Sequence, residues 1–125
     1  MRYLSDDWLH AADQALVGLP ALRQPVVIGF AVTNGPEGTR QYSLRLGPDR
    51  VGMEPGLDCA GVVLTLDWAL AVAISQHAES AQRAFLDGGL RLAGDVNLLL
   101  GHAAILADFD DRLAPLRTLT DYGTI

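Results

Sequence analysis

Chemistry in this chain would have to come from few residues: His10, His77 and His102, the single Cys59, and acids at 6–7 and 108–111. The three histidines are far apart and form no H-x-x-x-H pair, and one cysteine supplies no zinc framework. They read as bystanders. His102 is the exception of interest, because it sits in an apolar run as either a core-edge residue or a polar anchor for a ligand head group. Asp6 and Asp7 are adjacent, and neighbours on a helix do not face each other, so they read as first-turn acids that suit the helix dipole. Asp108, Asp110 and Asp111 lack the sixth-position glycine and closing glutamate of a calcium loop. Ser43, Ser75 and Ser80 have no G-x-S-x-G elbow around them, and Cys59 reads as a structural thiol. Gly89 and Gly94 have the G-x-x-x-x-G spacing of a phosphate loop. Asp95 follows where that loop needs a cation, and the sequence contains no lysine. No constellation demands catalysis, a metal or a cofactor.

Composition narrows the partners. The net charge of −6, with nine scattered arginines, leaves no basic stripe for nucleic acid and no polybasic patch for a membrane surface. The longest apolar runs are broken by Asp67, Gln76 or Gly101, short of a membrane span, so stable membrane insertion is not expected. The N-terminal MRYLSDDWLH has acids where a secretory signal is basic. With one cysteine, this predicts a cytoplasmic protein. A chain of 125 residues suits one domain, 1–125. The mean hydropathy of +0.21 is high for its size, and that surplus must fill a core, a cavity or a subunit contact.

The elements that would position these residues follow from periodicity. Ser5 caps a helix over about 6–17, with Leu4 and Leu9 as a hydrophobic staple. Val26, Ile28, Phe30 and Val32 alternate on one strand. Tyr42, Leu44 and Leu46 do so on a second, and Val51 to Met53 make a short third. One strongly apolar face per strand predicts an antiparallel sheet covered on one side. EPGLD at 54–58 reads as a crossover, AGVVLTL as a fourth strand, and Asp67 as the cap of WALAVAI, a helix apolar almost all round. A short helix through Ala81, Phe85 and Leu86 ends at Gly88. Leu90 and Leu92 mark a fifth strand, and Gly94 turns the chain. Asp95 is then expected to cap one long helix through Val96, Leu99, Leu100, Ala103 and Leu106, with a final turn around 113–119. Helices 67–75 and 96–107 carry more apolar surface than one packing face requires.

The segment VVLTLDWALAVAISQHAESAQRAFLDGGLRLAGDVNLLL resembles the signature half of the sterol carrier protein type-two family. Gly89, Leu90, Leu92, Gly94 and Asp95 carry the match, supported by Ala81, Ala84 and Phe85, and the order of elements is similar throughout. The resemblance implies an α+β fold whose five-stranded, mixed but mostly antiparallel sheet is covered by helices around an apolar cavity. It implies a sterol, fatty acid or related lipid as ligand, and neither cofactor nor metal. By match of apolar positions it assigns the cavity to Trp68, Val72, Phe85, Leu92, Leu99, Ala103 and Leu106, with Gly94 and Asp95 as structural residues. SQHAES stands where the family has a short Gly-containing link, so an altered cavity mouth is expected there.

The expected function is therefore binding, and with it transfer, of a hydrophobic small molecule. Burial of a lipid chain at about 0.8 kcal/mol per CH₂ needs no charged anchor. Two alternatives remain open at this point. One is a small isomerase or hydrolase with His102 or Asp67 as acid or base. The other is an interaction module, a homodimer, with a filled core.

Overall fold

A computed structural model describes residues 2–19, 22–36, 38–76 and 78–122, with the side chains of Ala81 and Ala103 excepted. Helix α1 (Asp6–Ala15) starts at Ser5, whose Oγ accepts from the Trp8 amide. It buries Trp8, Leu9 and Ala12. It ends two residues before the expected limit, and Gly18 at φ +103° turns the chain away. Strands β1 (Val26–Gly35) and β2 (Gly38–Leu46) form an antiparallel hairpin, and β3 (Val51–Pro55) extends it. After the crossover, β4 (Val62–Asp67) pairs parallel to β1, and β5 (Arg91–Gly94) closes the sheet antiparallel to β4. The order β3-β2-β1-β4-β5 makes a mixed sheet in which three of the four pairings are antiparallel.

Register aligns the core residues in rows. One row reads Leu92–Leu64–Phe30–Tyr42, and the next reads Val62–Ile28–Leu44–Met53. Helices α2 (Trp68–Ser75), α3 (Ala81–Leu86), α4 (Asn97–Leu100) and α5 (Ala103–Leu113), with a terminal 3-10 helix (Ala114–Leu119), complete the fold. Helix α1 is tied to β3 by Asp13, whose Oδ1 accepts from the Met53 amide at 2.9 Å and from Arg50 at 3.1 Å. Gly52 is required there, because a Cβ would collide with that same carboxylate.

The opposite sheet face is not left bare, contrary to the one-sided expectation. The crossover folds over it, bringing Leu57 and Ala60 onto Gly29, and Val27 and Ala31 are buried. Ser43, fully buried, donates through Oγ to the Gly56 carbonyl at 2.6 Å. A second correction concerns the C-terminal helix. It is two helices, α4 and α5, separated at Gly101 and His102. Gly101 lowers helix propensity by about 1 kcal/mol relative to alanine, and His102 sits outside helical geometry at φ −126°, ψ 27°. Its Nδ1 lies 2.7 Å from the Leu98 carbonyl, supplying a partner where the ladder is interrupted. Asp95 accordingly starts a single turn. Val96 is the N-cap of α4, and the Asp95 Oδ1 accepts from the Asn97 amide at 3.0 Å.

Candidate functional site

Between the core face of the sheet and the helices runs an apolar cleft with a deep end and a wide mouth. The deep end, about 140 Å³, is lined by Tyr3, Trp8, Leu66, Ala71, Ser75, Leu90, Leu113, Leu116 and Tyr122. The mouth, about 600 Å³, is lined by Ile28, Ala78, Glu79, Ser80, Arg83, Leu99 and Leu106. Phe30, Leu64, Ile74, Phe109 and Asp110 wall both, so the two spaces adjoin. The mouth alone falls within the range of about 300–1,000 Å³ usual for small-molecule sites.

Helical spacing explains the lining. On α2, Ala71, Ile74 and Ser75 lie at i, i+3 and i+4; on α5, Leu106, Phe109, Asp110 and Leu113 repeat the pattern. The sheet contributes Phe30 and Leu64, paired across β1 and β4. Phe30 is stacked with Tyr42 at 4.9 Å, and its centroid lies 6.4 Å from that of Phe109.

The residues assigned to a cavity by family likeness divide. Leu99 and Leu106 line the mouth. Leu92 lies opposite Leu64 and on the same sheet face, beside the cleft rather than in its wall. Val72 is part-buried against the core, one step round α2 from the lining face. Trp68 packs behind Tyr3, ring centroids 5.3 Å apart, and lines a separate 260 Å³ recess with Arg2, Arg40 and Asp121. Phe85 is a correction: it stands 49% exposed, because α3 turns Ala84 inward instead. The Ala103 side chain and His77 lie outside the described residues. Gly94 ends β5 at φ +103°, and a Cβ there would meet the Gly61 carbonyl and Val62 Cα. Asp95 donates its amide to that Gly61 carbonyl. The 89–94 spacing thus belongs to a strand packed on its neighbour, with no phosphate cradle.

The deep end also holds a polar network that sequence reasoning missed. The Ser75 and Tyr122 hydroxyls are 2.8 Å apart, and the Tyr3 hydroxyl donates to the Ala71 carbonyl at 3.5 Å. Arg117 donates to the Ser75 carbonyl at 2.6 Å and pairs with Asp110 at 3.2 Å. Burial, then the neighbouring Tyr122, pushes the Tyr3 phenol far above its ordinary value; burial and then Tyr3 do the same to Tyr42. These groups are therefore neutral at physiological pH. Nothing in their spacing, from residue 3 to residue 122, announces that they meet.

The acid and base candidates have local employment. Asp67 caps α2, its Oδ1 accepting from the Leu70 amide at 2.8 Å, and His102 is held to Leu98. Asp108 pairs with Arg112, and Asp6 with Arg40. Among the described residues no group of three His, Cys, Asp or Glu could hold a metal ion. Nor is any helix among them long and apolar enough to cross a membrane.

No family sequence model and no curated protein sequence matches the chain. Solved structures do. A sterol carrier protein 2 crystal structure superposes with a TM-score of 0.68 at 16% identity, covering 89% of this chain and 96% of that one. The chain has the sterol carrier protein 2 fold. A Thermus thermophilus protein described as possibly a sterol carrier protein shares the fold at TM-score 0.67 and 17% identity, over 90% of this chain and 87% of its own. Sterol carrier protein-2 from Aedes aegypti, solved in complex with the C16 fatty acid palmitate, matches at TM-score 0.57 and 24% identity. That match covers 86% of this chain and 97% of the mosquito protein.

Proposed function

We propose that this chain, 1–125 as one unit, binds and carries a hydrophobic ligand, a sterol, fatty acid or related lipid, in the cleft. The observation that carries the reading is the continuous wall of Phe30, Leu64, Ile74, Leu99, Leu106 and Phe109 around an open space. A fold of this kind holds palmitate in the Aedes aegypti protein. Ordinary cores close such space, since each missing contact weakens packing. Transfer of a long alkyl chain into it contributes about 0.8 kcal/mol per buried CH₂.

The same reading makes the protein a carrier and not an enzyme. Asp67 and His102 serve helix ends and do not line the cleft, and burial raises the pKa of the Tyr3 phenol that does. It places the protein in the cytoplasm, where an exposed lone Cys59 would stay reduced. Native mass spectrometry of protein purified from its host tests the proposal. Co-purified lipid of mass matching a fatty acid or sterol is expected. A bare polypeptide that also fails to take up added palmitate or cholesterol would overturn it.

A further inference from the structure

We propose that the recess behind Tyr3 is a second binding site, separate from the cleft, for a small aromatic carboxylate held by Arg40 beside Trp68. The recess encloses about 260 Å³ between the N-terminal segment, the β1–β2 turn and the start of α2. Tyr3 is the partition, because it lines both this recess and the deep end of the cleft. Tyr3 and Leu4 are buried, Trp68 and Arg40 half-buried, and Arg2 and Asp121 exposed at the edge. The turn lies against Trp68 because residue 35 is glycine; a Cβ there would stand 3.0 Å from the indole Cε3 and 2.9 Å from the Gly38 carbonyl oxygen.

The lining of the recess is positive, in a protein whose net charge is −6. Arg2 and Asp121 are paired across an isolated β-bridge, which places their opposite charges side by side. Arg40 therefore supplies the excess. Its Nε donates to the Leu4 carbonyl at 3.0 Å, fixing the guanidinium at the recess wall, and its Nη2 donates to Asp6 at 3.1 Å. Those bonds occupy one edge of the guanidinium. The other edge, Nη1 with the second Nη2 hydrogen, has no partner among the described residues and matches the two oxygens of a carboxylate. Asp6 is a weak rival for Arg40, since its side chain is 94% exposed. The Trp68 and Tyr3 rings, 5.3 Å apart, offer aromatic surface to the body of the ligand. A space below the roughly 300–1,000 Å³ of drug-sized sites suits a ring rather than a long chain. A single surplus cation suits a monoanion.

Benzoate and benzyl alcohol, which share a ring and differ in charge, test the site by NMR titration of isotope-labelled protein, with and without palmitate. The Trp68 indole N–H is the reporter. Benzoate is expected to shift it saturably and to bind about fivefold more tightly than the alcohol at low salt, with the margin narrowing as salt rises. Palmitate should leave benzoate binding unchanged. Arg40→Gln should remove the preference for benzoate. Asp6→Asn, which removes only the competing carboxylate, should tighten benzoate binding about twofold, and it decides the matter if Arg40→Gln fails to fold. No response at Trp68, equal binding of the two probes, displacement of benzoate by palmitate, or no gain in Asp6→Asn would each overturn the second site and leave the lipid reading intact. Failure of palmitate to bind, with benzoate still seated beside Trp68, would instead overturn the lipid reading alone.

Discussion

Tyr122 and Ser75 show what a single hydroxyl does at the narrower end of an apolar cleft. Their 2.8 Å contact joins the C-terminal segment to α2, and an unmade buried hydrogen bond is costly. Tyr122→Phe should lower stability by about 1 kcal/mol in urea unfolding. Palmitate affinity should be retained, because an alkyl tail reaching this end meets a phenyl ring as readily as a phenol. A large affinity loss in this variant would mean that the polar head binds here. Asp67 gives a second case. As N-cap of α2, its replacement by Ala should cost about 1 kcal/mol, with ligand binding unaltered at a temperature where the variant is folded. Loss of binding without loss of stability would show that the carboxylate serves the ligand instead.

The elements were legible where a pattern has one period. Alternation in β1 and β2, the caps Ser5 and Asp67, and Gly88 after α3 all stand where the residues place them. The cleft wall was only partly legible. Helix α2 is apolar on every side, so nothing in WALAVAI separates the lining Ala71 and Ile74 from Val72. Phe85 is large and apolar yet outward, because Ala84 takes the inward position. The break between α4 and α5 was concealed by an apolar run that continues through Gly101. Residues near both chain ends meet only after folding: the Tyr3 amide donates to the Asp121 carbonyl at 2.9 Å, and the Trp8 indole donates to Thr120. This packing has a pH consequence. Tyr3 and Tyr42 have folded-state pKa values raised above their ordinary 10.0. Their contribution to stability is complete below that value and is lost as pH rises past it. Stability should fall at alkaline pH, with phenolate absorbance from these two residues appearing together with unfolding. Their ionisation in a still-folded protein at pH near 10 would contradict this account of their burial.

At the scale of the molecule, a mixed sheet carries helices that leave open space on its core face. We propose that this space holds the ligand. Leu99 tests it, since α4 brings this side chain to the cleft mouth opposite Phe30 and Leu64. Leu99→Trp should fill the space, leaving the fold as stable as the parent or more so. Trp8, which lines the deep end, should change its emission when the parent binds a fatty acid; Trp68, behind Tyr3, should respond less. The deciding measurement is titration of a fluorescent long-chain fatty acid into the parent and Leu99→Trp proteins, with thermal unfolding of both. Binding in the micromolar range or tighter by the parent, lost in a variant of undiminished stability, is the predicted result. A parent that binds no apolar probe, and a variant destabilised by the roughly 1–3 kcal/mol typical of an overpacked side chain, would show a filled core and contradict the carrier.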